Sequence, residues 1–415
     1  MLQNRLKTIS AISALALLTG CGVGHELLGQ NNAASGSGPP ASVFGYVITD
    51  EPQAALVGRA ALNAGGNAVD AAVAEGLAQA VTLPSRGGLG GGGACLIKMP
   101  NAQGVMQPPI LLSFPAGAPK TAGGERPEAV PLLARGLLAM QASYGLMPLQ
   151  NVIAPAERLA EGAQISQPLE ADLKVVGNAL LADPQAASIF APNGSLLPVG
   201  AVFQQPNLAT TLGNLQVNGV NGLYAGSYAA LFAQAADSAG GTLTAADLSN
   251  AVPQFGAPDI TQQAGYDVAS LPVAPAAPGT ALPASASFMA LDKNGGAVIC
   301  VTSMNNLFGS GRFAPGTGIL LAASPLSKPP AQLAGAIAYT HSEGLFRAAV
   351  TGTGQNEAES AAQTGLHNAL TGQDNIIPEP GRANIISCPG GVPGNEASCS
   401  AIASPAGHGL AIGGR

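Results

Sequence analysis

Charge is scarce in this chain. Only 9% of its 415 residues are Asp, Glu, Lys or Arg, the net charge is -7, and the 16 basic residues form no run or stripe. A protein that neutralises a phosphate backbone needs such a stripe, so nucleic acid is excluded as a partner. Histidine is just as thin: His25, His341, His367 and His408 are scattered, and no Cys/His spacing suits a metal site. Neither a metal nor another cofactor is expected. The chain also lacks a G-x-S-x-G elbow, which removes a histidine-driven serine triad, and it has no P-loop lysine. What abounds is small, with 56 glycines and 33 prolines in a chain that is 47% hydrophobic. Such a composition buries a core easily and favours turns and close backbone contacts over long solvated helices.

The first residues read as an address rather than as part of a fold. Arg5 and Lys7 precede an apolar run, TISAISALALL, too short to span a bilayer. Leu18-Thr19-Gly20-Cys21 resembles a bacterial lipobox, in which the cysteine is lipidated and becomes the first mature residue. The expectation is a signal peptide over 1–20, a lipid anchor through Cys21 and a disordered tether over 21–42. That describes an exported bacterial lipoprotein, membrane-anchored on the periplasmic face. Of the other cysteines, Cys95 and Cys300 lie in strand-like segments and read as buried small hydrophobes. Cys388 and Cys399 flank a turn-rich loop and are disulfide candidates in an oxidising compartment.

Apolar periodicity and breakers predict a strand over 43–49, helices over 51–63 and 68–81, and a strand over 94–99. A helical block follows, with helices at 132–144, 155–162 and 169–181, then one more helical pair before a Thr244-x-x-Asp247 start signal. Strands over 288–292 and 297–304 form a hairpin about the turn KNGG, and strand pattern resumes at 336–338 and 344–351 before a helix at 357–370. Strands at both ends around a helical block suit layered α/β packing in which the two ends share a sheet. The run GGLGGGG places Gly88, Gly90 and Gly93 at G-x-G-x-x-G spacing. A helix precedes it and a strand follows, the reverse of a dinucleotide fingerprint, so it reads as close backbone approach in a pocket wall.

The chemistry centres on PASASFMALDK, residues 283–293. A proline-rich segment ends there and a core-type strand begins with small hydroxyl residues. A hydrolase without histidine can use an amino-terminal nucleophile whose own α-amine acts as base, released by cleavage of the preceding peptide bond. Ser285 meets the requirements, and an uncut linker serine is the alternative. Ser303 and Asn305, in VTSMNNLFGSG, are placed to support it from the neighbouring hairpin strand. Backbone N–H groups in TGTGQNEAES offer oxyanion donors at a helix start.

Four blocks in order, AGGNAVDAAVAEGLAQAVTLPSRGGLGGGGACLIKM, VPLLARGLLAMQASYGLMPLQNVIAPAERLAEGAQIS, the 203–248 segment and ALDKNGGAVICVTSMNNLFGSGRFAPGTGILL, resemble γ-glutamyltranspeptidases. The resemblance runs over about 43–353. It implies a four-layer α-β-β-α sandwich of the amino-terminal-nucleophile hydrolase type, with mostly antiparallel sheets. It also implies a precursor cut into a large segment, 43–284, and a small one, 285–415, the two fragments forming a heterodimer within one composite domain. Ser285 falls on the family's threonine nucleophile, Ser303 on the second hydroxyl that supports it, and Asn305 on an asparagine that holds the glutamyl group. Gln355 and Asn356 align with the backbone donors of the oxyanion site.

Departures from the family pattern are as informative. Pro115 stands where the family has the arginine that grips the substrate α-carboxylate, and AASPLS replaces the acidic run that binds the α-amine. Ala331 and Gln332 replace a serine pair. Proline cannot supply charge-assisted pairing to a carboxylate. Three readings follow. The first is a self-processing amidohydrolase or acyltransferase with Ser285 as nucleophile, acting on a small-molecule amide other than a free γ-glutamyl compound. The second is an inactive family member serving as an envelope binding or structural module. The third is retained γ-glutamyl transfer, with Arg86 and Arg312 as substitute substrate-binding residues, although each reads more simply as a solvated loop arginine.

Overall fold

Alternation along one strand explains the layering. Every residue of Ser285–Asp292 is buried, yet its two faces go to different places. Ala286, Phe288 and Ala290 pack against helices, whereas Met289 and Leu291 pack against a second sheet. The computed structural model describes residues 44–414 except 122, 275–284 and 329. It places this strand third in a seven-stranded sheet of order Leu410–Gly414, Gly45–Thr49, Ser285–Asp292, Ala297–Ser303, Gly92–Lys98, Ile110–Phe114, Gln254–Gly256. A six-stranded sheet runs Ser400–Ile402, Arg382–Val392, Phe346–Thr353, Ala334–Tyr339, Tyr266–Ser270, Asp259–Gln263. All pairings in both are antiparallel.

Three apolar clusters fill the spaces between four layers. The first joins the helices to the seven-stranded sheet, the second lies between the sheets, and the third joins the six-stranded sheet to the helix Ala358–Thr371. This is the α-β-β-α sandwich that the resemblance implied. Helix Ala68–Thr82 is buried along its whole length and is started by a capping box in which Asn67 and Asp70 bond reciprocally. Its Gly76 lets Phe288 approach: a Cβ there would lie 2.6 Å from the Phe288 ring. Burying a ring of that size contributes about 1.5–3 kcal/mol, and the small residue is what admits it.

The segments on either side of position 285 interleave. The seven-stranded sheet takes Gly45–Thr49 and Gly92–Lys98 from before it and Ser285–Asp292, Ala297–Ser303 and Leu410–Gly414 from after it. Helix Leu149–Glu161 begins earlier than its apolar pattern indicates and runs through Pro155, whose missing N–H costs only the bond to Asn151. The cysteines at 95 and 300 correct the sequence reading: they are bonded to each other. The register of Ala297–Ser303 on Gly92–Lys98 sets them directly opposite. Cys388 and Cys399 are also bonded. The signal peptide, Cys21 and the tether lie outside the described residues. No helix among the described residues is long and apolar enough to cross a membrane.

Candidate active site

At one end the layer between the sheets turns from apolar to polar. Stepping from Leu291 and Met289 to Ser287 and Ser285, from Val301 to Ser303, from Ile48 to Asp50, and from Ala349 to Thr351 and Thr353 leaves the apolar cluster along each strand by the period of two. Ser285 and Ser303 are a direct cross-strand pair, 3% and 5% exposed. Residues so paired bring their side chains within about 4.5–5.5 Å at Cβ. Asn305 follows with φ 59, the left-handed region that asparagine tolerates, and its backbone N–H donates to Ser303 Oγ at 2.8 Å. Its amide donates to the carbonyls of Ala116 at 3.1 Å and Ala323 at 2.9 Å, so the side chain is fixed by backbone on both sides. The structure therefore brings Ser285, Ser303 and Asn305 together.

The glycine run forms the wall behind them. A Cβ on Gly91 would collide with the Ser303 carbonyl, one on Gly93 with that of Val301, and one on Gly90 with that of Leu320. The spacing serves close backbone approach.

A buried network joins the two sheets next to Ser285. Asp50 Oδ2 accepts from the backbone N–H of Ser287 at 2.7 Å and from its hydroxyl at 3.2 Å. Asn384 Nδ2 donates to Asp50 Oδ1 at 2.7 Å and to Ser287 Oγ at 3.0 Å. Thr351 Oγ1 donates to Ser287 Oγ at 2.9 Å, and the Ser404 N–H donates to Asn384 Oδ1 at 2.9 Å. Asp50, Ser287, Thr351 and Asn384 were not singled out from the sequence. The available signal was a polar residue at an inward position of an otherwise apolar strand.

Arg86 lies on the short helix Pro84–Gly87 and is 3% exposed. Its guanidinium grips Asp172 with two bonds, 2.7 Å from Nε and 2.6 Å from the terminal nitrogen, while Ser85 Oγ donates to the same carboxylate at 2.6 Å. Burial pulls the Arg86 pKa down and the Asp172 carboxylate more than restores it, leaving it above the ordinary value. Arg312 sits partly exposed on the loop before Phe313, and its side chain makes no hydrogen bond or ion pair among the described residues. Gln355 and Asn356 belong to the single 3-10 turn Gln355–Glu357 at the end of Phe346–Thr353, with Gly354 at φ 109 and Gln355 at φ 62. Among the described residues no group of three or more His, Cys, Asp or Glu could hold a metal ion.

Residues 54–282 match the γ-glutamyltranspeptidase family model, more than half of the chain. The chain belongs to the γ-glutamyltranspeptidase family. Curated relatives include glutathione hydrolase 2 of Arabidopsis thaliana, 32% identical over 238 residues, covering 55% of this chain and 41% of that protein. The glutathione hydrolase proenzyme of Escherichia coli (strain K12) is 34% identical over 248 residues, covering 55% of this chain and 42% of its own. This γ-glutamyltranspeptidase-family chain thus matches less than half the length of those relatives. The crystal structure of a cephalosporin acylase from Bacillus halodurans has the same fold, with a TM-score of 0.72 at 18% identity, covering 92% of this chain and 99% of that one.

Proposed function

We propose that this family member is a self-processing amidohydrolase or acyltransferase with Ser285 as its amino-terminal nucleophile, its substrate altered from free γ-glutamyl compounds. The observation that carries the reading is the cross-strand pairing of Ser285 with Ser303 at the polar end of a two-sheet core. In processing, Ser285 Oγ attacks the carbonyl carbon of residue 284, the peptide nitrogen leaves as the new α-amine, and water hydrolyses the resulting ester. In turnover the hydroxyl proton passes to that α-amine as Oγ attacks the substrate amide. The amine product leaves with the proton, and water or an acceptor amine then removes the acyl group. Ser303 Oγ and the Asn305 N–H positioned on it support the nucleophile, and N–H groups of the 355–357 turn are the candidate oxyanion donors. The relatives' names support amide cleavage. The altered substrate follows from Pro115 at the arginine position and from Arg86, whose guanidinium is committed to Asp172.

Those same two residues favour a second reading, a non-catalytic envelope module held at the membrane through Cys21. Intact mass of the purified full chain after reduction separates the two. The catalytic reading expects two fragments, the second beginning at Ser285, and one uncut chain for Ser285→Ala. A single uncut wild-type chain that releases no nitroaniline from activated anilides would leave only the module.

A further inference from the structure

Arg382 opens the strand Arg382–Val392, opposite Thr353. Along this strand Ile386 and Cys388 face the layer between the sheets, and Ala383 and Ile385 face the outer helix. Arg382 and Asn384 share the inward face. Asn384 bonds to Ser287 Oγ, so one step of two residues outward along each strand leads from Asn384 to Arg382 and from Ser287 to Ser285. Both steps leave the apolar cluster at the same end, and each covers about 7 Å. The Arg382 guanidinium is therefore on the nucleophile's side of the network.

It stands there without a partner. The Arg382 side chain makes no hydrogen bond or ion pair among the described residues, although the residue is only partly exposed. Burial pulls its pKa below the ordinary value, and Arg86 adds to that pull, while Asp50, Asp172 and Glu379 act against it. Asp172 is occupied by Arg86 and Ser85, and Asp50 by Ser287 and Asn384. Glu379, the remaining acid, is exposed and is the weakest of these influences. The cluster offers a half-desolvated guanidinium fork and no buried carboxylate left unpaired, which suits an anion far better than a zwitterion.

We infer that Arg382 is a specificity-determining residue that binds a carboxylate at the far end of the acyl group, and that the acyl donors are anionic amides with no α-ammonium group. The inference rests on Ser285 being the acyl-accepting nucleophile. Attack and release follow the steps already given, with the distal carboxylate unchanged. A purely structural Arg382 would only balance the charge of Asp50 at a distance.

The experiment compares succinyl and glutaryl p-nitroanilides with uncharged butyryl and valeryl p-nitroanilides and with γ-glutamyl p-nitroanilide, for wild type, Arg382→Gln and Arg382→Lys. Calorimetric titration with succinate and glutarate gives binding without turnover, and thermal melts confirm folding. Wild type prefers the carboxyacyl donors over the uncharged and γ-glutamyl ones. Arg382→Gln loses at least about tenfold of that preference and of dicarboxylate binding, the effect of one charge-assisted hydrogen bond. Arg382→Lys recovers part of both. Equal turnover of charged and uncharged donors, or a preference unchanged in Arg382→Gln, overturns the inference while leaving Ser285 as nucleophile. Dicarboxylate binding through Arg382 by an uncut chain that cleaves no anilide refutes the nucleophile and reduces Arg382 to an anion site.

Discussion

Cys95 and Cys300 are bonded to each other across the position at which scission before Ser285 would divide the chain. One lies in the strand Gly92–Lys98 of the large segment and the other in Ala297–Ser303 of the small one. A processed protein would then run as a single band on a denaturing gel without reductant and as two bands with it. Cys388 and Cys399 fall within the small segment, so their bond does not affect this outcome. The Cys95→Ala/Cys300→Ala double variant is expected to give two bands in both lanes. Two bands from the wild type without reductant would contradict the tie.

Asp50 accepts from the Ser287 N–H, the Ser287 hydroxyl and Asn384. Removing it takes the acceptor from the Ser287 N–H, from the Ser287 hydroxyl and from one of the two Asn384 amide hydrogens, each worth about 1–3 kcal/mol once unpaired. Asp50→Ala is expected to lose about 3 kcal/mol or more in denaturant unfolding. Asp50→Asn keeps one acceptor oxygen and loses less. Because the network grips the strand two residues beyond the nucleophile, both variants are also expected to slow appearance of the Ser285 terminus in a time course of intact mass. A change in stability with unchanged processing would confine Asp50 to the fold.

Arg86 and Asp172 form a buried pair, each about 3–4% exposed at the side chain. Arg86→Ala strands a buried carboxylate and is expected to cost about 3–5 kcal/mol, whereas Arg86→Met with Asp172→Leu replaces the pair by apolar volume and costs much less than the two single changes summed. Denaturation midpoints of the four proteins supply the cycle. Additive losses would mean that the two side chains do not depend on each other.

The fold was legible where one residue type dominated a period. Thr244 with Asp247 marks a capping box, as the sequence spacing indicates, and the all-buried helix Ala68–Thr82 lies where apolar periodicity puts it. The strands Tyr266–Ser270, Arg382–Val392 and Leu410–Gly414 were not legible, because glycine, proline and polar residues interrupt their alternation and long-range pairing holds them. Ser285, Ser303 and Asn305 were readable from motif and spacing. Asp50, Thr351, Asn384 and Arg382 were not, since they meet only when strands hundreds of residues apart become neighbours. The Cys95–Cys300 bond was missed for the same reason: register, not spacing, creates it.

Glu75 gives the sharpest pH prediction. It lies fully buried in helix Ala68–Thr82 against Gly58, where any Cβ would strike its carboxyl group. Neither of its oxygens has a hydrogen-bond partner among the described residues, and burial raises its pKa well above the ordinary carboxylate value. In the folded state it therefore keeps a proton that the unfolded chain releases above about pH 4.3. The folded state binds more protons than the unfolded one through that window, so stability is fully present below it and falls as pH rises toward the folded pKa. Glu75→Gln removes the titration while keeping the shape. Its unfolding free energy is expected to be flatter than that of wild type between pH 5 and 8, with the difference moving in the variant's favour as pH increases. Parallel curves for the two proteins over that range would show that Glu75 is ionised in the fold and held by a partner.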